Sequence, residues 1–198
     1  MTKSNLLISI VTICLVCVSM FSQTRSVEEV QADIDSTPNP TAFSVSYDDP
    51  KDITILLLKF DLRGTDKSLK KRFKELFLEM SSVYSGIGID YKPVRNLLCI
   101  SSRAKRFHFA SNNDLTIGID GETVRFVSPD RSTEVKGRKV REKLCWDIDR
   151  ELIKDAGSSS SLSLAIGSQK LSMYAKELAL LLRFSKLTEA ESGPTESQ

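Results

Sequence analysis

The sequence contains few of the residues from which metal sites and nucleophilic sites are built. Its 198 residues include one histidine, His108, together with one tryptophan and four cysteines. A zinc site needs four close ligands, most often cysteine and histidine. One histidine and widely separated cysteines do not provide such a set. We therefore expect no metal ion and no other cofactor.

Neither sign of charge dominates the chain. Lysine and arginine total 28, and aspartate and glutamate total 26, which gives a formal net charge of +2. A nucleic-acid-binding domain usually carries a clear basic excess, so we expect no nucleic-acid partner. The 40% of hydrophobic residues is too high for a disordered chain, and this length fits one globular domain with short tails.

A long uncharged apolar stretch lies near the N-terminus. Lys3 precedes it, residues 6–21 carry no charge, and small and polar residues follow as far as Ser26. This order is the layout of a secretory signal peptide, whereas a membrane-spanning helix needs about 20 apolar residues. We predict a signal peptide over residues 1–26, cleaved after Ser22 or Ser26. The protein is then exported, either to the periplasm or to the medium.

Two alternatives would keep the chain attached to a membrane. The apolar stretch can remain uncleaved as an anchor, or Cys14 or Cys17 can carry a lipid. Bacterial lipid attachment favours a small residue before the cysteine, and the bulky residues Ile13 and Val16 occupy those positions here. We expect contact with a membrane only through such an anchor.

Cys99 and Cys145 remain after the signal peptide is removed. Two cysteines can form a disulfide in an oxidising compartment. Their separation in the sequence does not show whether the two Cα atoms come within bridging distance. The sequence therefore leaves two alternatives open, a Cys99–Cys145 disulfide and two buried free thiols.

Composition divides the mature chain into three parts. Residues 27–42 are polar and include Pro38 and Pro40, which predicts a disordered leader. Residues 188–198 are also polar, and we predict a disordered tail. The globular domain is then expected over residues 43–187.

Alternation of apolar and polar residues predicts most of the domain as strands. Asp120-Gly121 separates two alternating runs and predicts a two-residue hairpin turn, because both turn residues need positive φ angles. A second hairpin is predicted at Gly167-Ser168. Residues 128–138 are charged and rich in turn formers, so we predict no strand there. The predicted strands are 43–47, 53–62, 95–101, 115–119, 122–127, 140–148, 162–166 and 169–171.

Two helices are predicted in the second half of the domain. Asp149 can cap a short helix over residues 150–156 that ends at Gly157. Ser172 can cap a final helix over residues 173–187 with apolar residues at helical spacing. Residues 66–85 have helical spacing at first and alternate later, so periodicity leaves helix and strand open there.

These elements predict a mainly β fold. Successive hairpins imply antiparallel pairing, and seven to eight strands in a domain of this size usually form two packed layers. We predict antiparallel, sandwich-like sheets with one short helix and a C-terminal α-helix.

The second half of the chain resembles a group of small exported bacterial proteins that have no established function. The similarity covers residues 43–187 and is strongest over 103–187. It lies in the basic-aromatic step at Lys105-Arg106-Phe107-His108-Phe109, in Asp120-Gly121-Glu122, in the hairpin at Gly167 and in the final helix. The resemblance implies a strand over residues 75–85 with a helical turn before it. It implies no catalytic residue.

The residues with potential chemistry do not form a recognised catalytic motif. His108 with Cys99 or Cys145 would be a nucleophile pair, but no motif marks a third orienting residue. Basic residues form three clusters, and interspersed acids favour ordinary solvated surfaces for them. The clusters are Lys67, Lys70, Lys71, Arg72 and Lys74; Arg103, Lys105 and Arg106; and Lys136, Arg138, Lys139, Arg141 and Lys143.

Two functions from different classes are compatible with these observations. The first is a non-catalytic binding or structural module of the cell envelope, whose partner is a protein or an anionic envelope component. It predicts an apolar or basic patch on an exposed face. The alternative is a small hydrolase with an unrecognised site, which predicts a pocket that holds His108 or a pair of acids. The missing motifs favour the first, and we predict that the protein is not an enzyme.

Overall fold

The fold is mainly β, as the sequence predicts. A computed structural model describes residues 24–90, 92–109, 113–167 and 169–188, and in these ranges it contains ten strands in two antiparallel sheets. The strands are β1 (Phe43–Asp48), β2 (Ile53–Asp61), β3 (Phe73–Ser85), β4 (Arg95–Ala104), β5 (Leu115–Ile119), β6 (Glu122–Phe126), β7 (Asp130–Lys136), β8 (Lys139–Asp147), β9 (Leu162–Ile166) and β10 (Gln169–Met173).

The larger sheet has the strand order β1-β2-β3-β4-β8-β7, and the smaller has the order β10-β9-β5-β6. Four helices accompany them in the described ranges: α1 (Val27–Asp35), α2 (Lys67–Arg72), α3 (Arg150–Ser158) and α4 (Ala175–Thr188). Short 3-10 turns occupy Pro40–Ala42, Asp49–Lys51 and Leu62–Gly64. No helix in the described ranges is both long and apolar enough to cross a membrane.

One apolar core lies between the two sheets and the helices α3 and α4. Alternate residues of β3, β4 and β8 face it, because successive side chains of a strand point to opposite sides of the sheet. Leu78, Leu98 and Leu144 are buried on that face of the larger sheet, and Ile117 and Leu164 are buried on the smaller. Lys59, Glu79, Ser101 and Lys143 line a groove on the opposite face of the larger sheet, which we call the open face.

The hairpin predicted at Asp120-Gly121 is confirmed. Both residues have positive φ angles, 48° and 95°, and β5 pairs with β6 around them. The Asp120 carboxylate also accepts hydrogen bonds from the backbone N–H groups of Ser160 and Ser161. The same turn therefore fixes the loop that follows α3.

The disordered leader predicted for residues 27–42 is wrong, because most of this segment is helical. Ser26 caps α1, where its hydroxyl accepts from the Glu29 N–H and the Glu29 carboxylate accepts from the Ser26 N–H. Val30 and Ile34 are one helical turn apart and are buried in the core. The charged residues around them make the segment polar as a whole and conceal this narrow apolar stripe.

The predicted number of seven to eight strands is too low. The eight strands predicted from alternation and the strand over residues 75–85 make nine, and the missed tenth is β7, in the segment for which turns were predicted. All of its residues are exposed, since β7 is an edge strand that pairs only with β8. An edge strand exposed on both faces needs no apolar alternation, so periodicity does not reveal it.

Two predicted helix boundaries also need correction. Gly157 does not end the short helix, which continues to Ser158. A Cβ atom on Gly157 would lie 3.0 Å from the Ser185 Cβ atom of α4, so this glycine allows two helices to approach closely. Ser172 belongs to β10, and the final helix begins at Ala175. The strand over residues 75–85 with a helical turn before it is confirmed by α2 and β3.

Cys99 and Cys145 lie opposite each other on the neighbouring strands β4 and β8. Their Cα atoms are 4.1 Å apart and their Sγ atoms are bonded, which resolves the two alternatives in favour of the disulfide.

Of the predicted signal peptide, residues 1–23 lie outside the described ranges. Of the predicted tail, Thr188 ends α4 and residues 189–198 lie outside the described ranges.

Candidate functional site

A groove of about 760 Å³ brings basic residues from three distant segments together at one end of the larger sheet. We call it the cationic groove. Apart from Phe73 and Ala104, every residue that lines it is lysine, arginine or His108, and its described lining contains no acid. The basic lining residues are Lys70, Lys71, Arg72 and Lys74; Arg103, Lys105, Arg106 and His108; and Arg138 and Lys139.

Strand register explains why the three segments meet. Phe73 pairs with Ala104, and Ala104 pairs with Val140. These residues form one row across the end of the sheet, where β3 begins, β4 ends and β8 begins. The basic residues that flank the row in sequence therefore continue past the same end of the sheet.

The positive charge of the groove is only partly compensated, since the Asp61 and Asp66 charges act on Lys70 and Arg72. Arg103 forms an ion pair with Glu75, and Arg72 donates to the Gln169 side chain at 2.9 Å. The remaining cations make no ion pair with any described carboxylate; they are Lys70, Lys71, Lys74, Lys105, Arg106, Arg138 and Lys139. Unpaired like charges around one concavity produce a local positive field that the net charge of the chain does not reveal.

A buried carboxylate holds one wall of the groove in place. The Glu142 side chain is 1% exposed and accepts from the backbone N–H groups of His108 at 2.7 Å and Phe109 at 3.4 Å. The Arg131 guanidinium lies 3.0 Å from it and balances its charge. Glu142 therefore fixes residues 105–109, the segment that carries Lys105 and Arg106 into the groove.

His108 lies at the base of the groove against Phe73, with 4.4 Å between the ring centroids. Burial lowers the pKa of His108 below its ordinary value, and the nearby Arg106 and Arg72 charges lower it further. The Glu142 charge opposes this shift only in part. The imidazole is therefore neutral near pH 7 and adds no charge to the groove there.

The structure does not assemble the cysteine–histidine pair considered from the sequence. Cys99 and Cys145 are bonded to each other, so neither offers a thiolate to His108. The disulfide lies on the open face of the larger sheet, whereas the His108 ring packs against Phe73, tilted by 46°, at the end of the sheet. The three basic clusters do converge in part, since members of each line the cationic groove.

Sequence reasoning missed a second charged site on the open face of the larger sheet. Glu79 is buried there, with the Lys59 and Lys143 ammonium groups each 2.8 Å from its carboxylate. The Ser101 hydroxyl also donates to it at 3.0 Å. Burial raises the pKa of Glu79, but the hydrogen bonds from Lys143 and Lys59 outweigh burial and leave it below its ordinary value. This network is satisfied internally, so it has a structural role.

Comparison with known proteins adds no further site residue. No family model matches the chain, and no curated protein and no solved structure matches it. The resemblance to small exported bacterial proteins therefore stays a prediction. The function has to be argued from the cationic groove itself.

Proposed function

We propose that this chain is an exported, non-catalytic binding module of the cell envelope that holds an anionic component in the cationic groove. One observation carries the proposal: basic residues from three distant segments converge on a concavity that no described acid lines. An anionic ligand would gain from every unpaired cation there.

One feature supports export, and a second bears on where the signal peptide is cleaved. The Cys99–Cys145 disulfide is typical of proteins that fold in an oxidising compartment. Arg25 exchanges two backbone hydrogen bonds with Ile89, at 3.0 and 2.8 Å, and Ser26 caps α1. Cleavage after Ser26 would remove both contacts, so of the two candidate positions we place cleavage of the signal peptide after Ser22.

No specific observation favours the alternative of a small hydrolase. A general base near a nucleophile would need an orienting acid. No described acid lines the groove, and the carboxylate of Glu142, which accepts from the His108 backbone, is occupied by two N–H groups and Arg131. The neighbours of the imidazole are instead the Phe73 ring and the cations Arg106 and Arg72.

The proposal is tested by removing three unpaired cations from the groove. We expect the triple variant Lys70→Gln, Lys71→Gln, Lys74→Gln to bind inorganic polyphosphate on the order of tenfold to a hundredfold more weakly than the parent chain. All three side chains are exposed. Lys70 and Lys71 lie in α2, where glutamine is about as favourable as lysine, and Lys74 is an exposed residue near the start of β3, so we expect the fold to be retained. Fluorescence anisotropy with labelled polyphosphate, at two salt concentrations, measures the change.

A matched control separates the groove from net charge. The triple variant Lys154→Gln, Lys176→Gln, Lys186→Gln removes the same charge from exposed positions of α3 and α4. We expect its affinity for polyphosphate to stay within about twofold of the parent. Equal losses in both variants, or no polyphosphate binding by the parent chain, would overturn the proposal.

We also predict that the affinity for polyphosphate depends on pH. A bound polyanion adds negative charge beside His108, which raises its pKa above that of the free protein. Binding then takes up a proton, so affinity rises as the pH falls and the gain is complete below the pKa of the free protein. We expect a gain of about threefold to tenfold between neutral and mildly acidic pH. The His108→Gln variant should lose this gain, and a slope unchanged in that variant would assign the effect to another group.

A further inference from the structure

Exposed apolar side chains accompany the unpaired cations at the groove end of the domain. Phe107, between Arg106 and His108 in sequence, is 47% exposed, and Val135 is 61% exposed. Val135 pairs with Val140, so it belongs to the row of residues that defines the groove end of the sheet. Single exposed apolar residues are common on protein surfaces, but these two lie next in sequence to the cations Arg106 and Lys136, at the end of the sheet that carries the groove.

The segment that carries Phe107 is anchored at the two residues that follow it. Glu142 accepts from the backbone N–H groups of the next two residues, His108 and Phe109. Phe109 is buried in the core, whereas Phe107 is exposed. The backbone next to Phe107 is therefore anchored, and Phe107 is exposed on an anchored segment.

The opposite end of the sheet provides a comparison. Ile87 and Val94 are also exposed there, but the neighbouring Arg95 is paired with both Asp147 and Asp130. That end offers apolar side chains without an excess of cations. The combination of exposed apolar tips and unpaired cations occurs at the groove end.

We infer that the groove end docks on the surface of an anionic phospholipid bilayer, with Phe107 and Val135 entering the interfacial region, a membrane contact beyond the anchor expected from the sequence. The inference rests on the proposed function and names the ligand of the same groove. Binding at a bilayer surface combines buried apolar area with attraction of lysine and arginine to anionic headgroups. A soluble polyanion would use the cations but would gain nothing from Phe107 or Val135.

The position of the N-terminal segment agrees with this orientation. Arg25 pairs with Ile89, beyond the end of β3 that is distant from the groove. The 13 residues of β3 span roughly 40 Å. A domain docked through its groove end therefore keeps Arg25 away from the bilayer, which agrees with a released, cleaved chain and not with an N-terminal anchor in the same membrane.

Sedimentation with vesicles tests the inference on the mature chain. We expect binding to phosphatidylcholine vesicles that contain phosphatidylglycerol, and none to vesicles of phosphatidylcholine alone. The double variant Phe107→Ala, Val135→Ala should bind the anionic vesicles about tenfold more weakly and should bind polyphosphate as the parent does. The matched control Val124→Ala, Val127→Ala changes two exposed residues near the smaller sheet and should bind as the parent does.

A second measurement reports insertion directly. Fluorescence of the Phe107→Trp variant should shift to shorter wavelength when anionic vesicles are added, whereas that of Val124→Trp should not. Vesicle binding that depends on Lys70, Lys71 and Lys74 but not on Phe107 would overturn the bilayer inference and leave the anion-binding groove in place. Binding of polyphosphate without binding of vesicles would do the same. A parent chain that binds neither would overturn the proposed function as well.

Discussion

The double variant Cys99→Ala, Cys145→Ala is expected to be less stable than the parent chain by about 4 kcal/mol. The disulfide joins residues 46 positions apart, and a covalent link across such a loop restricts the unfolded chain strongly. It also joins β4 to β8, which bring two of the three basic segments to the groove. For a domain of this size the loss corresponds to a midpoint of thermal unfolding lowered by roughly 8 to 16 °C.

Thermal unfolding by circular dichroism, with and without reductant, measures this effect. Reductant should lower the midpoint of the parent chain by a similar amount and should leave the double variant unchanged. The single variant Cys145→Ala controls for lost packing, because Cys145 is only half-buried and its truncation removes little apolar contact. A parent chain whose midpoint does not respond to reductant under conditions that reduce exposed disulfides, and whose thiols react with alkylating agent, would show that the two cysteines are free.

The elements that the sequence predicted correctly are those whose determinants are local. Asp120-Gly121 specifies its hairpin turn through the φ angles of the two residues. Gly167, with a φ angle of 55°, has the same role between β9 and β10. The alternation in β8 indicates which side chains reach the core, since Leu144 and Trp146 are buried as their spacing predicts.

Two elements, α1 and β7, were not predicted from the sequence, for two different reasons. The start of α1 was readable, because Ser26 and Glu29 have the spacing of a capping box, but the composition of the segment suggested disorder. The edge strand β7 has no such signal, since all its residues are exposed and only pairing with β8 defines it.

The candidate site was visible in the sequence only as separate parts. The basic clusters can be read directly, but their convergence depends on the register Phe73–Ala104–Val140. That register is set by the whole larger sheet, over contacts distant in sequence. A net charge of +2 also conceals the groove, because acids elsewhere on the surface balance its cations.

One residue of the site did leave a local signal. In β8 the buried positions alternate as Val140, Glu142, Leu144 and Trp146. A glutamate at a core-facing position of a strand lowers the stability of the fold unless its carboxylate has hydrogen-bond or ion-pair partners. Its position therefore indicates a buried carboxylate with dedicated partners, which the structure identifies as His108, Phe109 and Arg131.

This arrangement makes Glu142→Ala the most damaging single change that we expect in the site. The variant removes the acceptor of two backbone N–H groups and leaves the Arg131 guanidinium without its partner. Breaking a buried, hydrogen-bonded ion pair costs about 3 kcal/mol or more. Denaturant unfolding should report this loss. Polyphosphate binding should weaken as well, at a temperature where the variant is folded, because residues 105–109 lose their fixed position.

Glu134→Ala is the matched control, since Glu134 lies on the neighbouring strand β7 and also forms an ion pair. Its partner is Arg141 at 3.3 Å, and both side chains are more than half exposed. Exposed pairs of this kind contribute at most about 1 kcal/mol. Glu142→Gln should be intermediate in stability, because its amide oxygen can still accept one of the two N–H groups. Equal losses for Glu142→Ala and Glu134→Ala would contradict the buried role of Glu142. A destabilised Glu142→Gln with unchanged polyphosphate affinity would assign that residue to the fold and not to the shape of the groove.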